Sequence, residues 1–484
     1  MAEVGDSLAR LSVDQSSAQF VEWFSAADGT RLSTKIQLKD LSAEGAGRGA
    51  VAEEVIAEDE ELFAVPRPLV LMTSTSSIPP SVLEPLAESG SWPPLIVTII
   101  YEYLRRESSP WYPYFRVLPT TFDTLMFWNE AELAELQAGA VRDKIGKSEA
   151  EEAWKETIVP IMLQHPELFP VPGTTASDRA AELIKLAHMA GSLIMAYAFD
   201  IDRDEDDDRP QDGGSEDEFQ EDDEDEPLKG MVPFADMLNA DADRNNARLF
   251  QEENYLIMKA TKPIAAGELI FNDYGPLPRS DLLRMYGYVT DNYAKYDVVE
   301  FSHDLILEVA GKKHDRNNKV WLKREEQLDE LGVLDDGYSI PRPDSTATKL
   351  EDIIPGQVHM LLRALCAHEQ DETPKKPKES VSVQEAALLQ SVLTKRLSEY
   401  STTYSQDQTT LQSLQSGDNV IPKGCNARRF AMALQVRMGE KEILRQLITF
   451  CQQHIEQKSA ETATAKRGRS DEISQQARAT KRRK

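Results

Sequence analysis

The residue best suited to chemistry in this sequence is a tyrosine that stands in a turn. An apolar segment at 267–271, GELIF, leads directly into Asn-Asp-Tyr-Gly, so Tyr274 follows a predicted strand. A phenol hydroxyl in such a position orients a reacting group, and its ring faces a developing positive charge. Tyr286 comes twelve residues later on a predicted helix, on one side with Leu282 and Leu283. Core packing with a satisfied hydroxyl is the alternative role of both tyrosines.

Two glycines stand one residue apart in AGRGAVA at 46–52, just before a predicted strand. This arrangement allows the backbone to approach a ligand closely, although glycines in tight turns also serve geometry alone. The motif is no dinucleotide fingerprint, because the third glycine and the following helix are missing.

The third stretch is rich in oxygen-bearing side chains. MVPFADMLNADADRNNARL at 231–249 contains Asp236, Asn239, Asp241, Asp243, Asn245 and Asn246. The spacing fails for a calcium loop, since no glycine stands in the middle and no glutamate closes it. Turns in which side chains bind nearby backbone groups are the alternative.

Taken together and in this order, the three stretches resemble the SET-domain protein-lysine methyltransferases. The similarity is to the branch whose catalytic domain is split by a helical insert and followed by a helical Rubisco-methyltransferase-type substrate-binding domain. Within it, VPFADMLNADADRNNARLF and IFNDYG are similar to the fungal ribosomal lysine methyltransferase 4 group, relatives of animal SET domain-containing protein six. The resemblance covers about residues 20–455 and implies S-adenosylmethionine as cofactor.

The resemblance also implies roles for individual residues. Tyr274 is the expected catalytic tyrosine, and Trp111 and Tyr197 match aromatic residues on the target-lysine side. The expected cofactor-binding residues are Lys35, Ala46, Gly47, Arg48, Gly49, Asn239, Ala240 and Tyr286. Ala240 is a departure, because the family usually has histidine there; the effect is small if main-chain groups hold the adenine. No metal ligand is expected.

The order of predicted elements favours an α+β fold. Short strands between 34 and 71 and between 246 and 274 flank a helical stretch. We predict a polar lead at 1–19, a SET domain of short β-sheets at 20–300 with a helical insert at about 80–199, and an all-helical substrate-binding domain at 310–457. A basic tail follows at 458–484.

The charge of the 484 residues is uneven, with 83 acidic and 54 basic side chains and a net of −29. Residues 200–226 contain 17 acidic residues and two arginines, so this run carries −15. It is predicted to be a disordered, solvated loop that either steers substrate or has no role. The rest of the chain, at about −14, has no general attraction for nucleic-acid phosphates and favours a basic protein partner.

The cysteines Cys366, Cys425 and Cys451 are too far apart to indicate a disulfide framework or a zinc site. The N-terminal MAEVGDSLARL lacks the pattern of a secretory signal, and the longest apolar run, 95–101, is too short for a bilayer.

The tail has two basic clusters, at 466–469 and 481–484, separated by eleven residues. This spacing predicts a bipartite nuclear-import signal, and with it an import-receptor partner and a nuclear location. A solvated tail without this role is the alternative.

The sequence thus predicts an S-adenosylmethionine-dependent protein-lysine methyltransferase whose substrate is a basic, large-subunit ribosomal protein. One alternative is a SET fold that binds a partner without catalysis, for which Ala240 is the sole support. A second is a methyltransferase of the same branch that modifies histidine. A third, an acidic histone-chaperone-like protein, accounts for 200–226 but for nothing in 231–288.

Overall fold

The computed structural model describes residues 12–42, 47–202, 228–312, 318–368, 376 and 380–481, with side chains up to residue 461. The chain forms two compact units. The first contains residues 1–127, 146–276 and 284–287, and the second contains 128–145, 277–283 and 288–484. Residues 128–145, which we predicted to be part of the helical insert of the SET domain, therefore belong to the second unit.

α-Helices account for nearly half of the described residues, and several begin at side-chain caps. Thr175 and Ser382 each accept a hydrogen bond from the third residue of the helix that follows, as capping boxes do. In chain order the helices are α1 Val13–Ala26, α2 Pro80–Leu83, α3 Trp92–Arg105, α4 Tyr112–Phe115, α5 Glu130–Ala134, α6 Lys147–Glu156, α7 Ile158–Gln164, α8 Ala176–Tyr197, α9 Arg279–Tyr286, α10 His303–Val309, α11 Lys319–Asp329, α12 Gly356–Cys366, α13 Val383–Ser398, α14 Tyr404–Gln415 and α15 Ala427–Lys481.

The strands are short and form small sheets. They are β1 Arg31–Leu32, β2 Ile36–Asp40, β3 Arg48–Ala52, β4 Glu61–Pro66, β5 Ala198–Ile201, β6 Leu228–Met231, β7 Asn239–Ala240, β8 Ala247–Gln251, β9 Tyr255–Ala260, β10 Leu269–Asn272, β11 Val298–Ser302 and β12 Gly337–Pro341. Two four-stranded sheets have the orders β1-β4-β9-β8 and β2-β3-β10-β7, and β5-β6 and β11-β12 are two-stranded. The predicted α+β class is confirmed, with one strand, β12, inside the otherwise helical C-terminal region.

The core of the first unit joins the sheets to the helices. Phe20, Phe24, Phe63 and Phe234 are fully or almost fully buried. Phe234 lies 5.1 Å from Phe24 and 4.8 Å from Phe63, measured between ring centroids. The apolar faces of α3 and α8 belong to the same core. A fully buried ring removes a large apolar area from water, so this aromatic cluster fixes the segment that leads into β7.

Helix α1 begins inside the segment that we predicted to be a polar lead. Its N-cap is Ser12, and its first turns contain the buried serines Ser16 and Ser17. Both hydroxyls accept hydrogen bonds from the guanidinium of Arg48. Polar residues that are buried by a specific partner are indistinguishable from solvated ones in a sequence, and this is why the boundary at residue 19 is wrong.

The predicted acidic loop at 200–226 lies outside the described residues except for 200–202. Residues 200 and 201 belong to β5, where Ile201 pairs with Leu228 of β6. Helix α15 extends through 458–481, and the cluster at 466–469 lies in the part whose side chains are outside the description. Among the described residues, no helix is both long and apolar enough to cross a membrane.

Candidate active site

The sheet β2-β3-β10-β7 brings three distant stretches of the sequence together. Strand β3 is antiparallel to β10, with Ala50 opposite Ile270. The start of β3 therefore lies beside the end of β10, where Tyr274 follows. Strand β7 runs parallel to β10 on its other side, with Asn239 opposite Phe271 and Ala240 opposite Asn272. Gly47, Gly49, Asn239, Ala240 and the turn containing Tyr274 thus meet at one edge of the sheet.

The two tyrosines form a stacked pair. The ring centroids of Tyr274 and Tyr286 are 4.1 Å apart, and the ring planes differ by 9°. Burial raises the pKa of Tyr286 to about 12, so its hydroxyl remains a hydrogen-bond donor at neutral pH. The pair presents aromatic surface and hydroxyl groups together, which suits a site that must strip water from a cation and orient it.

Local backbone chemistry places both tyrosines. Asp273 accepts a hydrogen bond from the backbone N–H of Gly275 at 2.8 Å, and Gly275 has φ +76°, so Tyr274 stands at a tight turn. Tyr286 is the last residue of α9, and Gly287 follows with φ +75°. A Cβ on Gly287 would lie 2.8 Å from the backbone nitrogen of Thr124, so glycine is required at the end of this helix.

The glycine motif and Asn239 form a close backbone contact. The side-chain amide of Asn239 donates from Nδ2 to the backbone carbonyl oxygen of Arg48 at 3.1 Å. A Cβ on Gly49 would lie 2.6 Å from Leu41 Cδ1 and 2.7 Å from Asn239 Nδ2. No other residue type fits at Gly49 without displacing its neighbours. Gly47, in contrast, has φ +66°, and among the described residues no atom lies within 4 Å of the position of a Cβ.

These features fit S-adenosylmethionine as the bound group. Gly47 and Gly49 would hold it through backbone groups. Asn239 would contact it from the outer strand β7, and Tyr286 would contact it with its ring. Ala46 lies outside the described residues. When bound, the cofactor supplies a methyl group on a positively charged sulfur.

The side chain of Arg48 has a structural role that sequence reasoning missed. Besides Ser16 and Ser17, its guanidinium binds the backbone carbonyl of Val117 at 2.7 Å. Burial lowers the pKa of Arg48, while the charge of Asp236 acts in the opposite direction. The side chain thus fastens α1 and the segment after α4 to the start of β3, and only the backbone of Arg48 remains for a cofactor.

Lys35 is not brought to this edge. It precedes β2 at the end opposite Gly47, because β2 and β3 are antiparallel and Asp40, not Lys35, faces Arg48. Its ammonium nitrogen lies 2.6 Å from Glu60 Oε1 and donates to the carbonyl of Val55 at 3.1 Å. The structure thus pairs the ammonium of Lys35 at the far end of the hairpin and does not bring it to the glycine motif, so its cofactor role stays a prediction.

The two predicted substrate-side aromatics differ in their surroundings. Trp111 is buried, and its indole N–H donates to the backbone carbonyl of Leu69 at 2.8 Å, so its contacts are those of a core residue. Tyr197 ends α8; burial raises its pKa to about 12, and the charge of Asp236 adds to this shift. Of these two residues, only Tyr197 has a described interaction with the buried carboxyl group of Asp236.

Asp236 and Tyr114 form a buried pair. The sequence indicated Asp236 as an oxygen-bearing side chain but did not indicate Tyr114 as its partner. Tyr114 donates its hydroxyl hydrogen to Asp236 Oδ2, and the other oxygen of Asp236 is buried with no hydrogen-bond partner among the described residues. Burial raises the pKa of Asp236 to about 7, although Tyr114 and Arg48 oppose the shift. The neighbouring Asp241 accepts from the backbone N–H groups of Asp243 and Arg244, so the turn alternative for this stretch is confirmed.

This pKa gives a prediction for stability. Between about pH 4 and pH 7 the folded protein holds a proton on Asp236 that the unfolded chain has lost, so the free energy of unfolding falls as pH rises. By pH 8 the cost is roughly 4 kcal/mol at 1.36 kcal/mol per pKa unit. We expect Asp236→Asn to be more stable than the wild type at pH 8 and to lose that advantage toward pH 4, as measured by urea denaturation.

Asp241→Asn is the matched control. Burial would raise the pKa of Asp241, but Arg244 and two backbone N–H groups lower it overall. The Asp241 carboxylate therefore stabilises the fold above about pH 4, and its loss destabilises there. An Asp236→Asn effect on stability that is independent of pH would contradict the assignment.

Comparison with known proteins agrees with this fold. Residues 47–275 match the SET domain family, and residues 317–444 match the Rubisco LSMT substrate-binding family. The solved structure of the SET domain of LSMT bound to lysine and AdoHcy superposes with a TM-score of 0.64 at 20% identity, covering 92% of each chain. The fold is thus that of a SET protein with a C-terminal substrate-binding domain.

Sequence relatives give the family. N-lysine methyltransferase SETD6 of Mus musculus is 31% identical over 89% of both chains. Ribosomal lysine N-methyltransferase 4 of Saccharomyces cerevisiae is 36% identical over 62% of this chain, and the match spans 60% of the yeast protein's length. The chain belongs to the SET-domain protein-lysine methyltransferases, whose methyl donor is S-adenosylmethionine.

Proposed function

We propose that this enzyme methylates a lysine of a basic, large-subunit ribosomal protein in the nucleus. The observation that carries the methyl transfer is the stacked pair of Tyr274 and Tyr286 beside the hydrogen bond from Asn239 to the carbonyl of Arg48. The similarity to the yeast protein named ribosomal lysine N-methyltransferase 4 supports the substrate class. The basic clusters of the tail support the location.

The chemical task of the chain is to accept a neutral amine. An unperturbed lysine has a pKa near 10.4, so about one in 10³ is neutral at pH 7.4. Removal of water from the amine beside the aromatic pair of Tyr274 and Tyr286 favours the neutral form. Tyr274 then holds the amine in line for attack, and alignment of the reacting atoms supplies most of the rate enhancement. No side chain has to act as a dedicated base in this scheme.

The acceptor is identified by incubating the purified protein with labelled S-adenosylmethionine and large ribosomal subunits from a strain that lacks it. We expect one labelled protein, and mass spectrometry of its peptides gives the residue and the number of methyl groups. A methylated histidine would support the alternative of the same branch. Label on none of the subunit proteins would refute the ribosomal assignment.

An acidic cleft on the second unit supports a basic substrate. It consists of two adjoining cavities of about 710 and 1000 Å³ that share Ser302, Asp304, Asp335 and Asp336. The cationic lining residues, Lys144 and Arg396, are held 2.6 Å from Glu300 and Glu399 respectively. The acidic lining residues are Asp143, Glu300, Asp304, Glu308, Glu325, Glu326, Asp329, Asp335, Asp336 and Glu399. A positively charged segment complements this surface.

Neutralising part of this cleft should weaken substrate binding and leave the chemistry intact. We expect the triple variant Asp304→Asn, Asp335→Asn and Asp336→Asn to raise KM for the ribosomal substrate about 10-fold at low salt, with kcat unchanged. Exposed ion pairs contribute up to about 1 kcal/mol each, which sets this scale. Asparagine retains the turn-forming acceptor of Asp335.

The control carries the same change of net charge elsewhere. Glu149, Glu152 and Glu156 are exposed on α6, and their triple replacement by glutamine should leave KM as it is. Equal increases in KM for both variants would assign the effect to the overall charge of the protein and not to the cleft.

Nuclear import has its own test. Replacing the basic residues at 466–469 and 481–484 with alanine should shift a fluorescent fusion from the nucleus to the cytoplasm, because an import receptor reads such clusters. Methyl transfer in vitro should persist in this variant. Unchanged nuclear accumulation would favour the alternative of a solvated tail.

A further inference from the structure

Arg48, the first residue of β3, binds three other parts of the first unit through its two ends. Its backbone carbonyl accepts a hydrogen bond from Nδ2 of Asn239 on β7 at 3.1 Å. Its guanidinium donates to Ser17 Oγ at 2.8 Å, to Ser16 Oγ at 3.0 Å and to the carbonyl of Val117 at 2.7 Å. A guanidinium is a planar fork with fixed donor directions, so three acceptors hold it in one orientation.

The two serines are themselves fixed within α1. Ser16 and Ser17 are 8% and 4% exposed, and their hydroxyls donate to the carbonyl of Val13 at 2.9 and 2.7 Å. A hydroxyl has a single hydrogen, so each serine has only lone pairs left to offer to Arg48. Phe20 on the same helix is fully buried and anchors α1 in the core. The serine pair is thus a double acceptor with a fixed position.

Arg48 is also the residue between the two glycines of the motif. Gly47 has φ +66°, and a Cβ on Gly49 would lie 2.7 Å from Asn239 Nδ2. Glycine accepts many backbone conformations, so the two neighbours of Arg48 have little conformational preference of their own. Contacts with other elements must therefore select the conformation of the motif. The pairing of β3 with β2 supplies part of these contacts, and the side chain of Arg48 supplies the contacts with α1.

We propose that Ser16 and Ser17 are positioning residues for the cofactor. By holding the guanidinium of Arg48, they keep the glycine motif in the conformation that binds S-adenosylmethionine. The proposal rests on the proposed methyltransferase function, with the glycine motif as its cofactor site, and adds to it two residues of α1 that touch no reacting atom. A motif that is in its binding conformation about a tenth of the time binds about 10-fold more weakly, so loss of the serine contacts acts on affinity.

The test replaces both serines. The double variant Ser16→Ala and Ser17→Ala should raise the Kd of S-adenosylmethionine about 10-fold in a calorimetric titration, and KM for the cofactor by a similar factor. At saturating cofactor, kcat should stay within about 3-fold of the wild type, because binding restores the conformation of the motif before the reaction. This split between KM and kcat distinguishes a positioning role in binding from a general loss of structure.

The control removes a matched serine pair from the same unit. Ser76 and Ser109 each donate at 2.7 Å to the carboxylate of Glu102, which is fully buried on α3. The double variant Ser76→Ala and Ser109→Ala therefore also takes two hydroxyls from one charged side chain. It should lower the melting temperature at least as much as the first variant, because a buried charge loses its partners, and leave the cofactor Kd within about 2-fold.

A third substitution shows whether the serines act through Arg48. Arg48→Met removes the guanidinium and retains the apolar stem and the backbone carbonyl that binds Asn239. In this background, replacing Ser16 and Ser17 by alanine should change the cofactor Kd by less than about 2-fold, because residues that share one contact are not additive.

Hydrogen exchange of the cofactor-free protein gives a measurement that needs neither binding nor turnover. A peptide that contains residues 47–52 should exchange faster in the variant of Ser16 and Ser17 than in the wild type or in the control, because exchange reports local opening. If the double variant does not fold, Ser17→Ala alone, which removes the bond from Nε of Arg48, takes the same measurements.

The outcomes separate this proposal from the proposed function. A wild-type cofactor Kd in the folded serine variant would overturn the positioning role, as would an equal weakening in the control or full additivity with Arg48→Met. If the wild type binds S-adenosylmethionine but transfers no methyl group to large-subunit proteins, the proposed function fails and the binding data still decide the positioning role. If the wild type binds no cofactor, both fail, and wild-type exchange in the serine variant would show that α1 does not hold the motif.

Discussion

Tyr274→Phe is expected to lower turnover by about 10²-fold while S-adenosylmethionine binds within about 3-fold of its wild-type affinity. The substitution removes one hydroxyl and retains the ring that stacks at 4.1 Å on Tyr286. A single preorganised polar contact in an active site contributes about 10²- to 10³-fold to the rate. Single-turnover rates and calorimetric titration of the cofactor measure the two quantities separately.

The control is a tyrosine of the same unit whose hydroxyl has no part in the site. Tyr101 on α3 is buried, and among the described residues its hydroxyl donates one long hydrogen bond, of 3.5 Å, to the carbonyl of Ser77. Tyr101→Phe should retain full turnover. If Tyr274→Phe transfers methyl groups at close to the wild-type rate, Tyr274 has no role in the chemistry, and a SET fold that acts without this hydroxyl has to be considered.

Local patterns in the sequence predicted the elements around Tyr274 well. Alternating and β-branched residues indicated the strands at 255–260 and 269–272, and the spacing of Leu282, Leu283 and Tyr286 indicated α9. These signals are short-range, since the period of apolar residues depends only on the local backbone. The pairing of Ala50 with Ile270 is long-range, and no period in the sequence reports it. From the sequence, only the family resemblance indicated that the stretches containing Ala50 and Ile270 lie together.

The differences between prediction and structure have the same physical origin. The resemblance assigned Lys35, which precedes the glycine motif, to the cofactor, but strand direction carries it to the opposite end, beside Glu60. The resemblance assigned Trp111 to the substrate side, and in the structure its indole N–H donates to a backbone carbonyl in the core. Residues 128–145 interrupt the predicted insert without any change of composition that marks the crossing. In each case, contacts with residues that are distant in the sequence decide where the residue lies.

Gly49→Ala is expected to weaken binding of S-adenosylmethionine roughly 10- to 100-fold. The new methyl group would lie 2.7 Å from the amide nitrogen of Asn239 and 2.6 Å from a methyl of Leu41. In the free protein, both side chains relax away, and the bond from Asn239 to the carbonyl of Arg48 is lost. Binding then requires the native arrangement, so the strain of about 1 to 3 kcal/mol is imposed on the complex.

A double variant shows whether Asn239 transmits this effect. If the methyl group acts by displacing the amide, Gly49→Ala should cost much less affinity in an Asn239→Ala background than in the wild type, because neighbouring residues are not additive. Gly191→Ala on α8 is the control, since its Cβ would meet Trp154 at 3.6 Å and Ile96 at 3.9 Å, which are ordinary contacts, and it should leave the affinity unchanged. Calorimetry on the wild type, the two single variants and the double variant measures how strongly the effects of the two substitutions on cofactor affinity are coupled. Full additivity would mean that Gly49 and Asn239 act on the cofactor independently, and an affinity unchanged by Gly49→Ala would remove the glycine motif from the binding site.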